Sequence, residues 1–158
     1  MWEHVYCILG ILFFTALFVF LAIVVEPLIL EDFPPQLRTN LTMTQWLESF
    51  ELWALVCVGA AVAASFLWYG FGQNVFNANS GKSYGKRGLW GFLFILPVCA
   101  VIFSIFLVEE AESSLWLAYL CFVVNGLLPY YVSTVLFSPV SVKYTPIGAE
   151  GIRSQCPW

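Results

Sequence analysis

Side chains able to do chemistry are sparse in this 158-residue chain, and their spacing matters more than their number. Five cysteines come first: Cys7, Cys57, Cys99, Cys121 and Cys156. Thiol redox exchange and structural zinc sites use closely spaced pairs such as CxxC, and no such pair occurs. The single histidine, His4, has no second imidazole to join it and Cys7 in holding a metal or a haem. Cysteine as a small buried apolar residue is the plainer expectation. Asn79-Ser80-Gly81-Lys82-Ser83 matches only the end of a phosphate-binding loop. The full motif needs a glycine five positions before Gly81, and Phe76 stands there. The stretch reads as a flexible basic turn suited to anionic lipid headgroups or a cytoplasmic partner. Glu109, Glu110 and Glu112 match no cation-binding loop and read as a solvated turn. Asn40-Leu41-Thr42 is a glycosylation sequon, with meaning only in a eukaryotic secretory route. No acid–base pair, activated nucleophile or metal set emerges, so neither an enzyme nor a cofactor is expected. With no basic stripe, nucleic-acid binding is not expected either.

One polar side chain stands apart. Asn125, in the run Asn125-Gly126-Leu127-Leu128-Pro129, lies inside a long apolar stretch. Asparagine in hydrocarbon hydrogen-bonds across helices for about 0.6–2 kcal/mol, and Pro129 frees a backbone carbonyl one turn earlier. Asn125 is therefore either part of a locally satisfied kink or a narrow polar site at mid-depth. Pro97 is a second expected kink.

These residues sit on elements that composition makes plain. The chain is 61% hydrophobic and only 10% charged, against about a quarter charged in soluble domains. Crossing a bilayer takes about 20 apolar residues in a helix, and four stretches qualify: 5–25, 52–71, 90–108 and 115–137. The expected fold is all-α and integral to the membrane, an antiparallel bundle of four transmembrane helices with short connectors. It forms one domain over 1–138, followed by a short cytoplasmic tail, 139–158. Glu26-Pro27 is expected to end the first span, because proline disfavours helical geometry in the residue before it. Thr42-Met43-Thr44-Gln45 has capping-box spacing and starts a helical lead-in to the second. Trp2, Tyr6, Trp68, Tyr69, Trp90, Tyr130 and Tyr131 are expected at the inner interface, and Trp46, Trp53 and Trp116 at the outer one. With Glu26 assigned to a connector, no ionisable residue falls centrally in a span. That argues against proton- or ion-coupled transport.

Charge orients the bundle. Lys82, Lys86 and Arg87 share the 72–89 connector, Lys143 and Arg153 lie in the tail, and only Arg38 falls elsewhere. Glu26, Glu31, Asp32, Glu48 and Glu51 fall in the first connector, with Glu109, Glu110 and Glu112 in the third. Basic flanks stay cytoplasmic, so both termini are expected inside, in a multi-pass protein of the cytoplasmic (inner) membrane. The tail, ending in Trp158, is expected either to dock on another subunit or to lack fixed structure.

Helix faces suggest what the bundle does. Gly59, Ala60, Ala63, Ala64 and Ser65 form small-xxx-small registers that let backbones approach closely in lipid. The phenylalanine-rich faces of the first and third spans suit lipid or coarse packing instead. The first expectation is a non-enzymatic membrane subunit that oligomerises or anchors a larger complex, with contacts through the 72–89 connector and the tail. Its partners would be membrane lipids, further copies of itself, or a protein on the cytoplasmic side. An alternative is an oligomeric pore in which Asn125, Ser65, Ser104 and Ser133 line an axis between copies. In architecture alone the chain resembles the small four-span membrane proteins of bacterial antiphage operons. That resemblance implies a third reading, a membrane sensor signalling to a soluble partner.

Overall fold

The computed structural model describes residues 2–35, 37, 41–74, 86–108, 115–139, 142 and 145–153. Among them the chain is all-helical. Helix α1 comprises three consecutive segments: Trp2–Phe20, a π-helical turn Leu21–Val25, and Glu26–Asp32. Helix α2 is Met43–Asn74, α3 is Arg87–Leu107, α4 is Trp116–Phe137, and the short α5 is Ala149–Arg153. The first four are long and apolar enough to cross a membrane, over His4–Asp32, Met43–Phe71, Arg87–Leu107 and Trp116–Phe137. The chain is a multi-pass membrane protein.

The first helix does not stop at Glu26-Pro27. Its backbone widens just before the proline, so that the Glu26 N–H donates to the Leu21 carbonyl five residues back. Pro27 then occupies the first turn of the segment that follows, where a missing N–H is tolerated. The helix continues to Asp32 and carries Glu26 within it. The lead-in to the second span is likewise one helix with the span itself. Its start is the expected capping box. The Thr42 N–H donates to Gln45 Oε1 at 3.2 Å, and the Gln45 N–H donates to Thr42 Oγ1 at 3.4 Å.

Helices α2 and α4 form the central pair, and each packs against α1, α3 and the other. Gly126 permits a close approach. A Cβ there would collide with Val101 of α3 and stand 3.7 Å from Cys57 Cβ of α2. The buried side chains form two clusters. One joins Trp46, Phe50, Ala54 and Cys57 to Val101, Ala118 and Phe122, with the Phe50 and Phe122 rings stacked 5.1 Å apart. The other joins Ala61, Ala64 and Trp68 to Trp90, Leu93, Tyr130 and Val142.

Several aromatics assigned to interfaces are inside. Trp46, Trp68, Trp90 and Tyr130 are buried, whereas Trp116 is exposed. Hydrogen bonds explain the burial of three of them. Trp68 Nε1–H donates to Ser138 Oγ at 2.7 Å, and Trp90 Nε1–H to Thr134 Oγ1 at 3.0 Å. Tyr130 Oη–H donates to the Trp90 carbonyl at 2.8 Å. A ring whose polar edge is answered has no need of the headgroup region. Of the phenylalanines on α1 and α3, Phe13, Phe20, Phe92, Phe103 and Phe106 are exposed, whereas Phe18 is buried.

The described part of the tail packs on its own bundle. Val142, Thr145 and Ala149 are fully buried. Gly148, at φ +84°, makes the turn into α5, and Tyr131 Oη–H donates to the Ile147 carbonyl at 2.9 Å.

Candidate functional site

Asn125 and Glu26 meet. The Asn125 Nδ2–H of α4 donates to Glu26 Oε2 of α1 at 2.7 Å. Asn125 is 0% exposed and Glu26 is 6% exposed. An acid therefore does lie within a span, contrary to the reading that assigned Glu26 to a connector. That reading turned on Pro27 as a helix end, and the π-helical turn removes the premise. A sequence signal did exist. Pro27, Leu28, Ile29 and Leu30 continue the apolar run beyond Glu26, and a lone asparagine in hydrocarbon requires a polar partner.

All four long helices contribute around this pair. Cys57 of α2 and Cys121 of α4 both lie within electrostatic reach of Glu26. Cys57 Sγ is 3.2 Å from Ser104 Oγ of α3. The Ser104 hydroxyl donates to the Ala100 carbonyl at 2.8 Å, with the Trp53 carbonyl at 3.3 Å as a second acceptor. Pro129 has no N–H for the Asn125 carbonyl one turn earlier. The arrangement can hold or exchange a proton and can bind polar atoms in a buried setting. Among the described residues no group of three or more His, Cys, Asp and Glu could hold a metal ion. Cys7, Cys57, Cys99 and Cys121 form no disulfide.

One atom of the pair is unused. Asn125 Oδ1 is buried without a hydrogen-bond partner, and Trp46 Nε1 shares that condition. Trp46 also borders a pocket of about 350 Å³ between the end of α1 and the start of α4, with Asp32 and Trp116 on its wall.

The other sequence-derived residues are placed as follows. Ala64 and Ser65 are buried in the bundle, and Ala60 is half-buried. Gly59 and Ala63 face outward, and a Cβ at Gly59 would meet nothing within 4 Å. Ser65, Ser104, Asn125 and Ser133 are all buried inside this one chain. Lys86 is half-buried at the start of α3. Arg87 Nε–H donates to the Thr145 carbonyl at 3.2 Å, and Arg153 Nη1–H to the Ser138 carbonyl at 3.0 Å. The first bond ties one expected cytoplasmic contact residue, Arg87, to the chain's own tail, and the second ties the tail to the end of α4. Lys82 and Trp158 lie outside the described residues.

No protein-family model, curated protein or solved structure matches this chain.

Proposed function

We propose that this chain is a non-enzymatic integral membrane subunit, an antiparallel four-span bundle of the cytoplasmic membrane with both termini inside. It self-associates, as a homo-oligomer or as the fixed core of a larger complex. The observation that carries this reading is the division of the small-residue stripe on α2. Ala64 and Ser65 are used within the bundle, while Gly59 and Ala63 present a smooth, unfilled strip outward. Small residues four apart on a lipid-facing helix allow the same face of a second copy to approach closely. The grouping of Lys82, Lys86, Arg87, Lys143 and Arg153 supports the orientation.

Native mass of the full-length protein in nanodiscs tests the proposal. Wild type is expected as a particle of two or more copies, and Gly59→Leu with Ala63→Leu is expected to reduce it to one. A wild-type particle of one chain, or an unchanged mass in the variant, overturns self-association through this strip. A second reading, an ion-permeation element, is favoured by the Glu26–Asn125 pair. Since Asn125, Ser65, Ser104 and Ser133 face the inside of one chain, such a path would run within a chain and not between copies. Conductance in planar bilayers that Glu26→Gln abolishes would favour it.

A further inference from the structure

The Glu26–Asn125 contact is half of what the two side chains can make. A side-chain amide carries a donor on one edge and an acceptor on the other. A carboxylate accepts only, whereas a protonated carboxyl also donates. With Asn125 Nδ2–H turned toward Glu26 Oε2, Asn125 Oδ1 is left buried and unanswered. Burying a polar atom without a partner is costly, so the unanswered oxygen calls for a physical reason. A half-turn of the amide supplies one. It would bring Oδ1 to the carboxyl, which is the partner a protonated Glu26 requires. Serving a carboxylate and a carboxylic acid in turn leaves one edge of the amide idle in each state.

The surroundings suit such exchange. The titratable groups facing Glu26 are Cys57 on α2 and Cys121 on α4, and α3 contributes the Ser104 hydroxyl through Cys57. Among the described residues, Glu26 has Asn125 as its hydrogen-bond partner and no cation paired with it. Directly before Glu26 the helix has the widened turn Leu21–Val25, a distortion that recurs at functional sites. An acid kept in the interior of a membrane-spanning bundle without a cation is a candidate for proton exchange.

We propose that Glu26 is a proton-binding site inside the membrane-spanning bundle, with the Asn125 amide turning to match each state of the carboxyl. The step is proton transfer alone. A hydronium ion gives its proton to a Glu26 carboxylate oxygen, an O–H bond forms and water is left, and release is the reverse. The proposal stands on the buried pair and not on the α2 strip, so spectra and particle masses can fail separately.

Infrared difference spectra of the full-length protein in nanodiscs, from about pH 4 to about pH 10 to bracket ordinary carboxylates and their raised forms, provide the test. The expected result is a carboxylic-acid carbonyl band, missing in Glu26→Gln, that falls at least tenfold through one transition. In protein labelled with ¹⁵N-asparagine, the Asn125 side-chain amide signals are expected to move through the same transition. They should stay fixed with pH in Glu26→Gln. A Glu26 band that is absent throughout, or constant throughout, overturns the proton site. A titrating band with an unmoved Asn125 amide overturns the turning amide. Should Glu26→Gln fail to fold, the ¹³C signal of the Glu26 carboxyl in wild type gives the same readings without a variant.

Discussion

The two buried clusters of this bundle treat polar groups in opposite ways. Around Trp68, the buried donors find acceptors: Trp68 reaches Ser138, Trp90 reaches Thr134, and Tyr130 reaches the Trp90 carbonyl. Ser138 and Thr134 in turn donate to carbonyls of their own helix. In the other region, the Trp46 indole N–H and the Asn125 carbonyl oxygen are unanswered, and Asn125 holds an acid, Glu26. Among the described residues these are the two buried side-chain polar atoms without a partner. In a medium without water, a satisfied network rigidifies and an unsatisfied group is costly. The first region therefore acts as a clamp that holds α2, α3, α4 and the tail together. The second retains polar capacity that stability does not explain, and this is where function is to be sought.

Substitutions can break or sharpen that contrast. The largest effect is expected from Trp90→Ala in the clamp. It removes a large buried ring stacked on Tyr130 and the hydrogen bond that ring donates to Thr134, a loss of about 3–5 kcal/mol. Equilibrium unfolding in detergent should register it, and a loss below about 1 kcal/mol would show that the clamp does not hold the bundle. Next comes Asn125→Leu, expected to cost about 2 kcal/mol because it leaves the Glu26 carboxyl buried without its hydrogen-bond donor. Adding Glu26→Leu should restore most of that loss, since replacing both polar partners can be nearly neutral. Additive losses in the double variant would mean that the pair is not coupled. The smallest effect compares two indoles. Trp68→Phe should cost about 1 kcal/mol more than Trp46→Phe, because only the first loses a made hydrogen bond. Equal losses would erase the distinction between the regions.

The membrane helices were legible because each depends on its own composition. Val5 to Val25, Trp90 to Val108 and the rest are apolar over lengths a bilayer requires, and the capping box at Thr42 and Gln45 can be read from four residues. The Asn125 half of the candidate site was equally visible, as the one strongly polar residue in such a run. Glu26 was hidden by its neighbour, since Pro27 is a local signal for a helix end and the π-helical turn that absorbs it is not encoded in any motif. The burial of several aromatics was hidden for a related reason. Tryptophan and tyrosine near span ends suit an interface, yet Trp68, Trp90 and Tyr130 have interior partners on helices and a tail that spacing alone does not bring near.

Local chemistry was thus enough to say that four apolar helices form and where charged segments lie between them. Transfer into lipid is close to additive along a segment, so each helix is settled by its own residues. Tertiary structure alone decided which polar groups meet. Glu26 and Asn125 are ninety-nine positions apart in the chain, and their contact exists because α1 and α4 pack together while the helix of Glu26 runs on past Pro27. Pairing of that kind depends on the register and rotation of packed helices, which one segment's sequence does not carry.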